Sequence, residues 1–412
     1  MHVIGGGLAG LSAATLLAER GVAVTLSEAA AQAGGRCRSY IDPQLDMMID
    51  NGNHLVLSGN RAVMAYLKRL GTRDRLAGPD SADLAFMDLR DGTRWRLRPN
   101  DGPLAWWVFA KDRRVPGTSP ADYLPLATLL ARHPGKRLDQ VLTPRGVLWE
   151  RLLEPFFLAA LNTEAVAGSA DLAGAIVRET LAKGGQACRP RIAHPTLAGA
   201  FVEPALHYLY TKGATVRLGR RLKAIITESD RVRALEFGDG VTEFGPDDTA
   251  ILAVPPNHAQ ALLRGLDAPD EFRSIVNGHF ALPATQRPSN TPLITGLVGG
   301  CAEWLFVFED RVSVTVSGAD AIIDDNREDL AARLWADVAR VLKLGDMPLP
   351  LWQIVKERRA TFAATPEQNA KRPGARTALS NLFLAGDWTR TGLPATIEGA
   401  LRSGETAARL VL

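Results

Sequence analysis

The chain is poor in cysteine. Cys37, Cys188 and Cys301 are scattered, with no C-x-x-C pair and no histidine at ligand spacing. A disulfide framework and a metal site are therefore not expected, and a reducing compartment is. Surplus charge is also missing. With 48 Lys+Arg against 45 Asp+Glu and no basic run interleaved with aromatics, nothing points to nucleic acid. No apolar run approaches the length that spans a bilayer. No signal peptide precedes the first strand pattern, and neither an internal repeat nor a low-complexity segment is present. The expectation is a cytoplasmic protein, soluble or peripheral on the inner membrane face.

What the sequence does have is glycine in a telling place. Apolar residues run into Gly5, Gly6, Gly7, Leu8, Ala9 and Gly10, a G-x-G-x-x-G turn, and a small-residue helix follows. Gly5 permits the tight turn, Gly7 lets backbone approach a pyrophosphate, and Gly10 lets helix and strand pack closely. The helix N-terminus offers unpaired N–H groups to phosphate oxygens. A second strand, Val22–Ser27, ends at Glu28, close to the offset at which a carboxylate accepts hydrogen bonds from the adenosine ribose. The bend Gly34-Gly35-Arg36 could set a guanidinium beside the same pyrophosphate. Nicotinamide enzymes do not need that third element, so the reading tilts to FAD. No second G-x-G-x-x-G follows a strand, because Gly296–Gly300 lacks the pattern. NADPH, if it is the reductant, would act transiently without a domain of its own, unless a separate reductase serves instead.

Further along, Asp50-Asn51-Gly52-Asn53-His54 forms a turn, and a helix is expected from about Asn60 to Leu70. The pair Leu84–Leu89 and Thr93–Arg98 reads as a hairpin through Asp91-Gly92. In Pro103–Ala110, Trp106, Trp107 and Phe109 stand beside Lys111, Arg113 and Arg114. That composition, over 103–114, suits a segment lying in a membrane interface and equally a core helix with a solvated end. From about Pro120 to Lys212 the apolar spacing is helical, with helices expected over 121–132, 146–161, 170–183 and 196–212. Strands resume at 214–218, 221–227, 232–237 and 241–244, and Thr249–Val254 is a buried strand closed by Pro255-Pro256. Several short strands are expected between His279 and Val316, then a helix over 329–342 and a strand over 354–362. Near the end, Asn381–Ala385 is a buried strand delivering Gly386 and Asp387. After Pro394 a helix begins near Thr396 and Ile397, and its N-terminus would stabilise negative charge on a reduced flavin.

These pieces, with Ala253-Val254-Pro255-Pro256 and the tail Leu384-Ala385-Gly386-Asp387-Trp388-Thr389 and Ile397-Glu398-Gly399-Ala400, resemble the amine oxidase and phytoene desaturase superfamily of flavoproteins over the whole chain. Arg358–Phe362, Arg372-Pro373, Glu154–Asn162 and Ala302–Phe306 most resemble the squalene-associated desaturases, the hydroxysqualene dehydroxylases of bacterial hopanoid biosynthesis. The fold so implied is α/β, a Rossmann-like FAD-binding domain with an interleaved α+β substrate domain and a helical insert. Segments 1–70, 200–265 and 375–412 would form the discontinuous FAD-binding domain, and 71–199 with 266–374 the substrate-binding one.

The resemblance implies non-covalent FAD and reduction of hydroxysqualene to squalene. Gly5 to Gly10 would hold the pyrophosphate, Glu28 the ribose, and Gly35 with Arg36 the phosphates and ribose. Gly52, Asn53 and His54 would lie near the isoalloxazine. Backbone at Leu222 would meet the adenine, Gly386 and Asp387 the ribityl chain, and Thr396 and Ile397 would donate N–H groups to the flavin. A long-chain isoprenoid needs an apolar tunnel, for which the insert offers Leu152, Leu153, Phe156, Phe157, Leu158 and Leu161. Protonated loss of an allylic hydroxyl leaves a delocalised cation that accepts hydride from reduced flavin, so one acid is required. Asp50, His54, Glu154 and Glu203 are the candidates, and burial would keep such a carboxyl protonated. The rival readings are a carotenoid-type desaturase, which abstracts hydride through the same tunnel, and an amine oxidase. The latter is disfavoured, because Leu393–Ile397 carries neither an aromatic ring nor a cysteine. Contact with other squalene-pathway enzymes would also follow from the family.

Overall fold

A computed structural model describes residues 1–412. Two large sheets, three smaller ones and a helical insert make up the fold, which is α/β. The first sheet has strands β1 (His2–Ile4), β2 (Thr25–Ser27), β3 (Thr215–Arg217), β4 (Ala250–Leu252) and β5 (Leu382–Leu384), in the order β3-β2-β1-β4-β5. All neighbours are parallel. Strand order reverses at β1, so the carboxyl ends of β1, β2 and β4 open a crevice of the kind in which nucleotides bind. The helix Leu8–Glu19 is buried from Leu8 to Ala18, with no polar face to turn outward. It lies between the sheet and the last helix, Ile397–Val411, and small residues allow the approach. A Cβ on Gly404 would stand 2.1 Å from the Ala9 carbonyl oxygen.

The second sheet has seven strands, in the spatial order Trp352–Phe362, Phe272–Ala281, Arg311–Val316, Trp304–Val307, Ile294–Val298, Leu84–Asp88 and Arg94–Leu97. Pairing is antiparallel except between Ile294–Val298 and Leu84–Asp88. Its alternation is two-sided. Val276, Leu305, Val312, Val314 and Val316 pack with Leu330, Leu334 and Val338 of the helix Arg327–Leu342. The opposite face carries Phe86, Trp95, Trp304 and Phe306, in one apolar cluster with Trp149, Leu152 and Phe157 of the insert.

Several expected elements take another form. Residues 120–130 are a 3-10 helix and not an α-helix, because Pro125 lies inside the run and lacks the N–H that an α-helix needs. The helix expected over 146–161 splits into a π-turn, Trp149–Leu153, and an α-segment, Glu154–Leu161. That over 196–212 splits in the same way, into Ala198–Val202 and Glu203–Thr211. Both α-segments open with Glu-Pro. Proline cannot supply an interior N–H, so a widened turn precedes it within a helical run that continues on both sides. Among the elements absent from the sequence reading are the hairpin Ser39–Asp42 with Met47–Asp50, and the strand Pro190–Ala193, which pairs with Leu55–Leu57 and Leu76–Ala77. No helix is long and apolar enough to cross a membrane.

Candidate functional site

The glycine turn after β1 is built for close approach. Gly5 has φ +110°, and a Cβ there would stand 2.3 Å from the Ala253 carbonyl oxygen. One on Gly10 would stand 1.9 Å from the Gly5 oxygen. At Gly7, by contrast, an added Cβ would meet nothing within 4 Å. Gly7 is also the N-cap of the helix opened by Leu8, Ala9 and Gly10, and no side chain caps its free N–H groups. Packing against protein thus explains Gly5 and Gly10, and open space for a ligand explains Gly7.

Glu28, just beyond β2, accepts the Gly6 N–H at 2.6 Å and the Ala30 N–H at 2.7 Å, one on each oxygen. Both oxygens keep a lone pair for hydroxyl donors. Arg220 N–H donates to the Glu28 carbonyl, which brings Leu222, at the start of a three-stranded meander, to the same end of the sheet. Gly34 and Gly35 have φ +107° and +56°, a left-handed pair that only glycine adopts freely. Their turn aims Arg36 across the crevice at Asp387, 2.7 Å away.

Asp387 is held from behind. Gly386, at φ +152°, has no room for a side chain, since a Cβ would stand 2.3 Å from the Trp388 indole nitrogen. Its N–H donates to Ser403. Arg372, only 1% exposed, donates to the carbonyl oxygens of Asp387, Trp388 and Thr389 and to the Thr391 hydroxyl, with its guanidinium over the Phe362 ring. Burial lowers its pKa to about 10, so it remains a cation at neutral pH. The neighbouring Asp387 raises the pKa of Arg36. Thr396 caps the last helix by accepting the Gly399 N–H, leaving Ile397 in its first turn. Glu398 turns away and accepts the N–H groups of Ala62 and Val63 at 3.0 Å each, capping the helix Arg61–Leu70.

Gly52 and Asn53 press against the seven-stranded sheet. Asn53 donates to Asn277 and Thr315, and its own side-chain oxygen is buried with no partner. His54 lies beside Arg36; burial first, and then that cation, lower its pKa to about 4. It is neutral at pH 7 and does not stand ready as an imidazolium acid. Asp50 is buried, which raises its pKa, but it accepts from the Ser39 hydroxyl at 2.5 Å and from the Leu197 N–H at 2.9 Å. It ties the hairpin to the insert. Glu154 and Glu203 are exposed to solvent. The four proton-donor candidates are therefore not brought together, whereas Gly5–Gly10, Glu28, Gly35, Arg36 and Asp387 converge on one crevice.

Asn277, Thr315 and Ser403 went unremarked in the sequence, since each acts through a partner far along the chain. Only the Arg-Pro pair gave a hint of Arg372. The open glycine N-terminus, the Glu28 carboxylate with free lone pairs, and the orphaned Asn53 oxygen suit a dinucleotide carrying phosphates, ribose hydroxyls and ring N–H donors. The residues present fit FAD.

Asp387→Ala leaves Arg36 without its anion, and FAD affinity is expected to fall tenfold or more (~1.5–3 kcal/mol for a charged hydrogen bond). The ratio of flavin to protein absorbance after dialysis measures this, with circular dichroism unchanged. For His54, a folded pKa below the unfolded value means that the unfolded chain binds the proton first as pH falls. Stability is therefore full above pH ~6.5 and drains away down to the folded value of about 4. His54→Gln should flatten that acid slope in urea titrations; an identical slope would remove His54 as its source.

Residues 8–412 match the family described as flavin containing amine oxidoreductase. Hydroxysqualene dehydroxylase of Rhodopseudomonas palustris is 51% identical over 413 residues, covering 100% of this chain and 98% of that protein. Its counterpart in Sinorhizobium fredii is 50% identical over 412 residues, with the same coverage. Among solved structures, an oxidoreductase from Methanosarcina mazei superposes with a TM-score of 0.72 at 16% identity, covering 99% of both chains, which speaks for the fold alone. The chain belongs to the flavin containing amine oxidoreductase family, within the group of these hydroxysqualene dehydroxylases, and is an FAD-dependent oxidoreductase.

Proposed function

We propose that this enzyme reduces hydroxysqualene to squalene. The observation that carries the reading is the full-length identity of about one residue in two with relatives named for that reaction. In the reaction the allylic C–O bond breaks, the hydroxyl leaves as water after taking a proton, and a C–H bond forms at the same carbon. When bound, FAD in its reduced form supplies the hydride. The chain's own residues do the rest. Gly5, Gly6, Gly7, Leu8, Ala9 and Gly10 hold the pyrophosphate, and Glu28 the ribose. Gly35, Arg36, Gly386 and Asp387 fix the middle of the dinucleotide, Leu222 borders the adenine, and Gly52, Asn53, His54, Thr396 and Ile397 orient the ring. Segments 1–70, 200–265 and 375–412 serve the cofactor, and 71–199 with 266–374 the isoprenoid. NADPH or a separate reductase delivers the electrons.

An apolar substrate is best delivered from a bilayer, and one surface suits that route. Trp106 and Phe109 are 64% and 65% exposed, with ring centroids 6.2 Å apart, and Leu104 is exposed beside them. Lys111 and Arg113 are exposed next in sequence, placing cations where anionic headgroups would lie. Trp107 does not share in this. It is buried edge-on against Tyr123, its ring centroid 5.2 Å away, and anchors the segment.

Anaerobic mixing of photoreduced holoenzyme with hydroxysqualene should restore the oxidised flavin spectrum and yield one squalene per flavin. No reoxidation, together with desaturation of a carotenoid precursor by oxidised enzyme, would refute the proposal. For the surface, the double variant Trp106→Ala, Phe109→Ala should lose at least ~tenfold in binding to anionic vesicles while keeping its flavin. Unchanged pelleting would dismiss the membrane route.

A further inference from the structure

One transverse row crosses the seven-stranded sheet on the face turned toward the insert. Register puts Asn277 opposite Thr315, Thr315 opposite Trp304, Trp304 opposite Gly296, Gly296 opposite Phe86, and Phe86 opposite Trp95. Side chains paired across neighbouring strands share a face, so these six form a single line. At about 4.8 Å per strand, five steps span roughly 24 Å. One end is polar: Asn277 and Thr315 receive Asn53, beside Gly52. The other end is aromatic. Phe86 stacks on Trp95 at 5.5 Å and meets the Trp304 edge at 5.8 Å, while Arg151 of the insert covers the Trp95 ring. Gly296 is what lets the Phe86 ring lie in the row, since a Cβ there would stand 2.5 Å from it.

Within this row two indole N–H groups, those of Trp95 and Trp304, are buried without an acceptor, and Trp304, only 8% exposed, is the one next to the polar end. A buried donor left unpaired costs about 1–3 kcal/mol, and native proteins rarely carry one without a use. It sits one strand from Thr315, at the junction between the polar and aromatic halves.

We propose that Trp304 is the specificity-determining donor of the substrate site: its indole N–H binds the hydroxyl oxygen of an isoprenoid alcohol. The inference rests on the reading of the enzyme as acting on hydroxysqualene, and goes further by naming the group that tells the alcohol from the hydrocarbon. The hydroxyl is then held one strand from the Asn53 end, where the flavin ring is proposed to lie. A hydrocarbon in the same site leaves the indole unpaired, so product binds more weakly than substrate.

The test titrates oxidised holoenzyme in detergent with hydroxysqualene and with squalene, reading the visible flavin spectrum. Wild type should prefer the alcohol about tenfold, the worth of one hydrogen bond. Trp304→Phe keeps a ring and removes the N–H. It should abolish that preference and leave squalene affinity and flavin content as they were. A W304F holoenzyme that retains the preference overturns the inference, and so does a wild type with none, which would mean that the indole binds only water. Should W304F fail to hold flavin, the wild-type ratio still decides. Wild type that turns over hydroxysqualene without the expected preference sinks only the indole; wild type that never reoxidises with it sinks the proposed function.

Discussion

The contact on which the arrangement depends is the ion pair between Arg36 and Asp387, which joins residues 351 apart in sequence across the mouth of the parallel sheet. Its energy is modest, because the Arg36 side chain is partly exposed and exposed pairs are screened. Its value is positional. Arg36 reaches the crevice because two left-handed glycines reverse the chain, and Asp387 faces it because Gly386 and the Arg372 fan fix the turn after β5. Arg372 is the costlier element. A buried guanidinium without a carboxylate partner is stable only if each of its nitrogens finds an acceptor, and here backbone carbonyls, a side-chain oxygen and a hydroxyl supply them, with an aromatic face against the plane. Lysine, with one point charge, could not span them. The front and the tail of the chain therefore meet at a carboxylate whose backbone is rigid before any ligand arrives.

The same logic governs the insert. Glu154-Pro155 and Glu203-Pro204 each follow a widened turn, and that shift in helical phase decides which side chains face the sheet. Leu152, Leu153 and Phe157 then fall into the cluster with the sheet's aromatic face, while the two glutamates face outward. Sequence spacing alone treats each run as one continuous helix and does not show the widened turn.

How much was legible follows from how local each signal is. The glycine turn, Glu28, the Gly34-Gly35-Arg36 bend, β4 closed by prolines, and the strand delivering Asp387 are complete within a few residues of chain, and all appear at the expected positions. The 3-10 run around Pro125 and both π-turns were missed because apolar periodicity averages over a residue that breaks the hydrogen-bond ladder. The strand Pro190–Ala193 was missed because its partners lie more than a hundred residues earlier. Trp107 and Trp106 look alike in sequence, and only the position of Tyr123 makes one a core residue and leaves the other at the surface.

The seven-stranded sheet shows why so simple a scaffold can serve an awkward substrate. A sheet face alternates along each strand, but across strands it can grade from one chemistry to another with no change in backbone. Here the helix-facing side is mostly aliphatic, with Phe280 set against Trp335 of the helix. The insert-facing side runs from amide and hydroxyl at Asn277 and Thr315 to indole and phenyl at Trp304, Phe86 and Trp95. The aromatic half packs against the insert, but the gradient carries a polar burden, since the amides need partners from another part of the chain and the indole N–H groups have none. It is the arrangement expected where one polar group must be held at the edge of a long apolar body, which is the chemical character of an isoprenoid alcohol.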